Sequence, residues 1–114
     1  MSFFESEVVR AEMTEISELQ EDIYENVFKF PSMSKEDKMK HVELLERLLE
    51  KQKVLYTRLS LSDDIEAKEM KARIMDSAIL MGLPSGVDMN VIFNNMSKML
   101  EVMKDQIDKA ESDL

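Results

Sequence analysis

Carboxylate pairs at three-residue spacing are the residues of this sequence that most resemble catalytic or metal-binding groups. They lie in stretches with a helical pattern and comprise Glu15/Glu18, Glu43/Glu46 and Glu66/Glu69. Metal-dependent nucleotide hydrolases of the all-helical type hold Mg²⁺ with such acids, because Mg²⁺ takes oxygen ligands. The ligands must converge inside a bundle, whereas the pattern places the first two pairs opposite the apolar positions of their helices. We therefore expect no catalytic, metal or cofactor site, and this enzyme class is kept as a further alternative.

Other catalytic chemistries fit the sequence poorly. Cysteine is absent, which excludes a thiolate metal site and a cysteine nucleophile. The single histidine is His41, and Lys38 stands three residues before it, where a di-iron site would need glutamate. His41 falls within an apolar helical arc, so we expect a partly buried structural histidine near Tyr24, with a pH switch as the alternative.

Residues 39–61 form the stretch around which the other elements are organised. Its apolar residues recur at three- and four-residue steps, as in an amphipathic helix: Leu45, Leu48, Leu49, Leu55, Tyr56 and Leu59. At 100° per residue the apolar side chains from Leu44 round to Val42 cover roughly 160° of the helix surface. A two-stranded seam needs less, so this helix is expected to contact more than one neighbour.

Long helices account for the rest of the chain. Two glycines and two prolines leave few places to turn, which disfavours a sheet protein. Pro31 ends the first helix, Ser34 is the expected N-cap of the second, and Gly82 follows the third. The predicted helices span residues 3–30, 35–60, 63–82 and 87–111. The prediction is an all-α fold in one domain, 1–114, with four helices in two antiparallel hairpins, completed by dimerisation.

The charge distribution is strongly acidic and uneven. The net charge of −9 opposes binding to nucleic acid or to an anionic membrane surface. Residues 1–30 carry eight acids against Arg10 and Lys29. The predicted acidic face of helix 1 comprises Glu15, Glu18, Glu21, Asp22 and Glu25. This face either keeps the protein soluble or imitates nucleic-acid phosphates and blocks a basic site on a target protein.

Apolar residues beyond the needs of one small bundle predict a surface for another molecule. The second half of helix 3 is apolar nearly all round, and helix 4 carries a methionine stripe, which at helical spacing also fits a core. Phe3 and Phe4 fall off the apolar stripe of helix 1, so they pack through a non-helical entry, on another helix or on another molecule. Helix 3 and helix 4 are the predicted homodimer contact. The predicted partner-binding residues are Phe3, Phe4, Ile74, Met75, Ile79, Leu80, Met96, Met99 and Met103.

The sequence predicts a cytoplasmic protein. No apolar run approaches the ~20 residues that span a bilayer. The opening MSFFESEVV lacks the basic region and the continuous apolar core of a signal peptide.

Two stretches carry a resemblance to a known family. The opening MSFFESEVV resembles the start of an uncharacterised family of short helical proteins (a domain of unknown function) from cyanobacteria and their T4-like cyanophages. Ile92-Phe93, Met96, Leu100-Glu101 and Met103-Lys104 resemble that family's F-x-x-M-x-x-x-L-E-x-M-K helix, and Tyr56–Leu61 fall where the family has an aromatic–basic–Leu helix end. The resemblance implies an all-helical fold and a cyanobacterial cytoplasm, or the host cytoplasm if the protein is phage-encoded. It implies no catalytic residues.

The favoured functional hypothesis is a non-enzymatic protein–protein interaction module, a small cytoplasmic regulator or adaptor. Its expected partners are a second copy of the chain and another cytoplasmic protein, with neither nucleic acid nor membrane bound directly. The acidic nucleic-acid mimic is the alternative within the binding class.

Overall fold

The computed structural model describes residues 3–80, 82, 86 and 88–110, without the side chain of Ala78. Within these residues the chain forms α-helices and 3-10 helices and no strand, which confirms the all-α prediction. The α-helices are α1 (Glu7–Asn26), α2 (Lys35–Leu61), α3 (Ile65–Leu80) and α4 (Met89–Ala110). Two 3-10 helices flank α1: the N-terminal segment (Phe3–Glu5) and the connecting segment (Val27–Ser32).

The helix boundaries follow the local signals in the sequence. The predicted first helix is divided, because α1 begins after an extended Ser6 and the chain tightens into the connecting segment, which contains Pro31. Ser34 is the N-cap of α2, as predicted, since its Oγ accepts the Asp37 amide at 3.1 Å. Gly82 has a φ of 101°, a conformation that favours glycine after a helix end.

Helix α2 is the central element. It packs against α1, α3 and α4, which confirms the expectation that its wide apolar arc contacts more than one neighbour. α1 runs antiparallel to α2, as predicted: Glu12 in the first half of α1 contacts Arg58 near the end of α2. The principal contacts of α3 and of α4 are with α2, so the second half of the chain packs on the central helix more than on itself.

The core lies along the contacts of α2. Its buried apolar residues are Val9, Ile16, Ile23, Val42, Leu49, Tyr56, Leu59, Ala67, Met89 and Phe93. At the α2–α4 contact, Leu49, Tyr56, Met89 and Phe93 form one cluster, in which the Tyr56 and Phe93 rings meet edge-on with centroids 5.9 Å apart. Such aromatic pairs add specific geometry to the burial of apolar area.

The molecule is elongated. It measures 56 × 32 × 20 Å with a radius of gyration of 16.6 Å, against about 13 Å for a compact chain of this length. Its accessible surface is 8176 Å². A compact monomer of the same mass exposes roughly 6,500 Å². One chain therefore leaves more surface exposed than its size requires.

Candidate functional site

An apolar groove lies between α2 and α4. It encloses about 170 Å³ and is lined by Leu45, Leu48, Leu49, Gln52, Met96, Met99, Leu100 and Met103. The groove follows from the wide apolar arc of α2, because one part of the arc faces the core and another part is left beside α4. Seven of its eight lining residues are apolar, so the groove suits apolar side chains of another helix.

Methionines form the exposed lip of this groove. Met99 is 65% exposed and Met96 is 45% exposed, whereas Leu49 at the floor is buried. Methionine is unbranched and polarizable, so it adapts its shape to an incoming apolar surface. This surface thus combines a groove between α2 and α4 with an exposed side chain, Met99, at its edge.

Two ion pairs join the last part of α4 to the first half of α2. Lys104 Nζ lies 3.1 Å from Glu46 Oε1, and Lys35 Nζ lies 3.5 Å from Asp108 Oδ1. The hydrogen bond to Glu46, with the charge of that carboxylate, raises the pKa of the Lys104 ammonium above its ordinary value. With Lys104 held on α2, the side of α4 that carries Met99 is left facing outward.

The predicted partner-binding residues of α3 divide into two groups. Ile74 and Met75 pack against the core cluster inside the chain, where the Tyr56 hydroxyl donates a hydrogen bond to Met75 Sδ at 3.6 Å. Ile79 and Leu80 are exposed at the end of the helix. The second half of α3 is therefore partly used by the chain's own core.

Phe3 and Phe4 are half-buried within the chain. Their rings meet edge-on with centroids 5.1 Å apart, and the N-terminal segment that carries them contacts α3. The two rings thus pack within the chain, through a non-helical entry and through a contact with another helix.

The predicted acidic face of α1 is interrupted at Glu15. Glu15 is exposed, but its carboxylate forms an ion pair with Lys51 across the α1–α2 contact, so one charge of this face is compensated. The hydrogen bond from Lys51, with the charge of that ammonium, lowers the pKa of the Glu15 carboxyl. The remaining acids are exposed and form no ion pair with the described cations: Glu18, Glu21, Asp22 and Glu25.

The carboxylate pairs considered for metal binding do not gather at one place. Glu46 contacts Lys104 and Glu15 contacts Lys51, while Glu43, Glu66 and Glu69 are exposed. Among the residues that the structure describes, no three His, Asp or Glu side chains are placed to hold a metal ion.

His41 is buried beside a different aromatic residue from the one expected. Its ring lies 5.4 Å from the Phe30 ring, while Tyr24, the predicted neighbour, is exposed. The 3-10 connecting segment alters the register at this end of the hairpin, because its side chains advance by a different angle from those of an α-helix.

Sequence reasoning did not identify the groove or the junction residue Asp64. Leu45 and Leu48, which line the groove, lie in the predicted apolar arc of α2, and the width of that arc was the signal that part of it would face a second direction. The side chain of Asp64 accepts the Glu66 amide in the first turn of α3. No pattern in the sequence indicates its contact with Phe3.

The comparisons with known proteins give a family and no function. The model of a domain of unknown function, DUF1825, matches residues 1–107. No curated protein and no solved structure matches the chain. No helix in the described part of the chain combines the length and apolarity needed to cross a membrane.

Proposed function

The chain belongs to the DUF1825 family, a domain of unknown function, and from that premise we propose that it is a non-enzymatic protein–protein interaction module. It acts as a small cytoplasmic regulator or adaptor. The observation that carries the proposal is the apolar groove between α2 and α4, with Met99 exposed at its lip. Helix-in-groove recognition uses this kind of surface, in which apolar anchors enter a preformed cleft.

The charged residues support binding over catalysis. The acids nearest to other elements are engaged in ion pairs that join helices: Glu12 with Arg58, Glu15 with Lys51 and Glu46 with Lys104. Their role is thus to hold α1 and α4 on α2. A general acid or base instead needs a carboxyl aimed at a substrate site.

Capture with matched variants tests this proposal. The tagged chain is compared with Met96→Gln/Met99→Gln, which makes the groove lip polar, and with Val91→Gln, which changes an exposed residue of the same helix. We expect the parent chain and Val91→Gln to retain the same polypeptides. The Met96→Gln/Met99→Gln chain should lose them. Equal capture by all three chains would contradict binding through the groove.

The exposed acids of α1 favour a second candidate function, that of an acidic mimic occupying a nucleic-acid site on a target. Glu18, Glu21, Asp22 and Glu25 face solvent together. If the chain acts as a mimic, replacing these four acids by their amides, Gln or Asn, should abolish capture of the target. If the chain binds through the groove, the same replacement should leave capture nearly unchanged. The two functions are thereby separated in one experiment.

The hydrolase alternative has its own test. A metal-dependent nucleotide hydrolase would be stabilised by its ligands, because a ligand that binds only the folded state raises the unfolding temperature. We expect no shift of the melting temperature with Mg²⁺ or Mn²⁺ and nucleotides. A shift that requires both metal and nucleotide would contradict the proposed function.

A further inference from the structure

One side of α4 carries an uncharged stripe fifteen residues long. At 100° per residue its members fall within an arc of about 120°. They are Ile92, Asn95, Met96, Met99, Val102, Met103 and Gln106. Their spacing of three and four residues is that of a helix–helix seam. Ile92 packs partly against the core cluster of the same chain, whereas Met96, Met99 and Val102 at the centre of the stripe are exposed, so the centre is the part left for a partner.

We propose that this α4 stripe pairs antiparallel with the same stripe of a second copy of the chain, with Met99 at the twofold axis. The inference rests on the proposed interaction function and names the occupant of the groove. A twofold interface requires one patch to be complementary to itself. The α4 stripe meets this requirement, because the protruding Met99 lies beside a groove of about 170 Å³. That volume exceeds the roughly 150 Å³ of an engineered cavity that accepts benzene.

The antiparallel register brings apolar side chains together at the centre of the stripe, with Asn95 and Gln106 each facing an apolar residue farther out. With Met99 facing Met99, Met96 faces Val102 of the second copy, and Asn95 faces Met103 of the second copy. The apolar residues thus meet at the centre, and the pairing of Ile92 with Gln106 lies at the ends. No like charges are brought together along the stripe.

The charge distribution selects this face for self-association. The chain carries a net charge of −9, so two copies repel one another over most approaches. Within α4 the charges cancel: Lys98, Lys104 and Lys109 balance Glu101, Asp105 and Asp108. α1, by contrast, carries seven acids against Arg10. The α4 face lets two copies approach without meeting the acidic face of α1.

The chain as a whole exposes more surface than a compact monomer. Its accessible surface of 8176 Å² exceeds that of a compact chain of the same mass by roughly 1,700 Å². A standard-size interface buries about 800 Å² from each partner. The total surplus is therefore of the size that pairing with a second copy would remove.

The first test is the mass in solution of the parent chain, Met99→Lys and Val91→Lys, measured by light scattering during size-exclusion chromatography. We expect the parent chain at twice 13.3 kDa. Met99→Lys places two ammonium groups at the axis and should raise the dimer dissociation constant by roughly thirtyfold or more. Val91→Lys adds the same charge at an exposed position of α4 off the stripe, and should remain dimeric. Circular dichroism checks that all three chains keep their helix content.

The second test uses the absence of cysteine in the sequence. A Met99→Cys chain has one thiol at the axis and should form a disulfide-linked dimer under mild oxidation, whereas Val91→Cys should not. A parent chain that stays monomeric across micromolar concentrations, or equal cross-linking of both variants, would overturn the pairing.

The outcomes separate this inference from the proposed function. A monomeric parent chain that retains another protein, and loses it on Met99→Lys, overturns the second copy as occupant and leaves the interaction function standing. A dimer that Met99→Lys dissociates, with nothing else retained by any variant, supports the pairing and removes the adaptor function.

Discussion

Phe3 and Asp64, which lie 61 positions apart in the chain, are joined by a hydrogen bond of 2.6 Å from the Phe3 amide to Asp64 Oδ2. The other carboxylate oxygen, Oδ1, accepts the Glu66 amide at 2.9 Å in the first turn of α3. One side chain therefore caps α3 and ties down the N-terminal segment. The half-buried rings of Phe3 and Phe4 are held in place by the same junction.

Replacement of Asp64 by alanine removes both of these bonds. We expect the Asp64→Ala chain to lose about 1–3 kcal/mol of unfolding free energy, the range for a helix cap together with a partly buried charge-assisted bond. Urea unfolding followed by circular dichroism measures the loss. Asp63→Ala is the matched control, because Asp63 is exposed and its side chain forms no hydrogen bond or ion pair with the residues that the structure describes. Equal losses for the two variants would show that Asp64 does not hold the junction.

Two leucines near the end of α2 test where the core lies. Leu59 is 1% exposed and Leu61 is 79% exposed. Leu59→Ala should cost about 2–5 kcal/mol, because it removes buried methyl groups and leaves a cavity. Leu61→Ala should change the unfolding free energy by no more than about 0.5 kcal/mol. Urea unfolding of both chains gives the comparison, and a similar cost at the two sites would contradict the burial of Leu59 in the core.

Much of the helical framework could be predicted from local signals. Ser34 and Pro31 mark a boundary through properties of one residue and its immediate neighbours, so the bounds near them are reproduced within a few residues. The width of the α2 arc was also readable, and it correctly indicated several packing partners. These features depend on periodicity, which a single sequence contains.

The direction of the methionine stripe could not be predicted in the same way. Methionines at helical spacing are more typical of a core than of a partner surface, and only the packing of α4 on α2 leaves Met99 outside. The partners of Glu15 and Asp64 were missed for a related reason. Their contacts join positions far apart in the chain, and no local pattern specifies which distant residue arrives.

The pair between Glu12 and Arg58 should show the cost of leaving a charge without its partner. Glu12 is 19% exposed at its side chain, its Oε1 lies 2.8 Å from Arg58 Nε, and its Oε2 is buried without a hydrogen-bond partner. Arg58→Met leaves the carboxylate uncompensated and should cost about 1–3 kcal/mol of unfolding free energy. The double variant Glu12→Met/Arg58→Met should recover part of that cost, because no buried charge then remains.

Urea unfolding of Glu12→Met, Arg58→Met and the double variant completes a double-mutant cycle for this pair. Arg73→Met serves as the control, because Arg73 is exposed on α3 and forms no ion pair. A double variant less stable than Arg58→Met would show that Glu12 contributes through contacts other than its charge.

The ion pair of Glu15 and Lys51 should make stability depend on pH in a known direction. The hydrogen bond from Lys51 and its charge lower the pKa of Glu15 in the folded chain below the ordinary value of a glutamate. A lowered folded pKa means that the stabilisation is present above the unfolded pKa and is lost as the pH falls through the folded pKa. The advantage of the parent chain over Glu15→Gln should therefore be largest near neutral pH and shrink below about pH 4.5.

Carbon-13 NMR titration of the Glu15 carboxyl measures the same coupling directly. Lys51→Met should move the Glu15 pKa upward toward 4.5, because both the donor and the charge are removed. Lys98→Met removes an exposed lysine of α4 that forms no ion pair, and it should leave the Glu15 titration where it was. If the carboxyl titrates at the same pH with and without Lys51, the contact is too weakly populated in solution to join α1 to α2, and the apolar packing and the Glu12–Arg58 pair must hold these helices together.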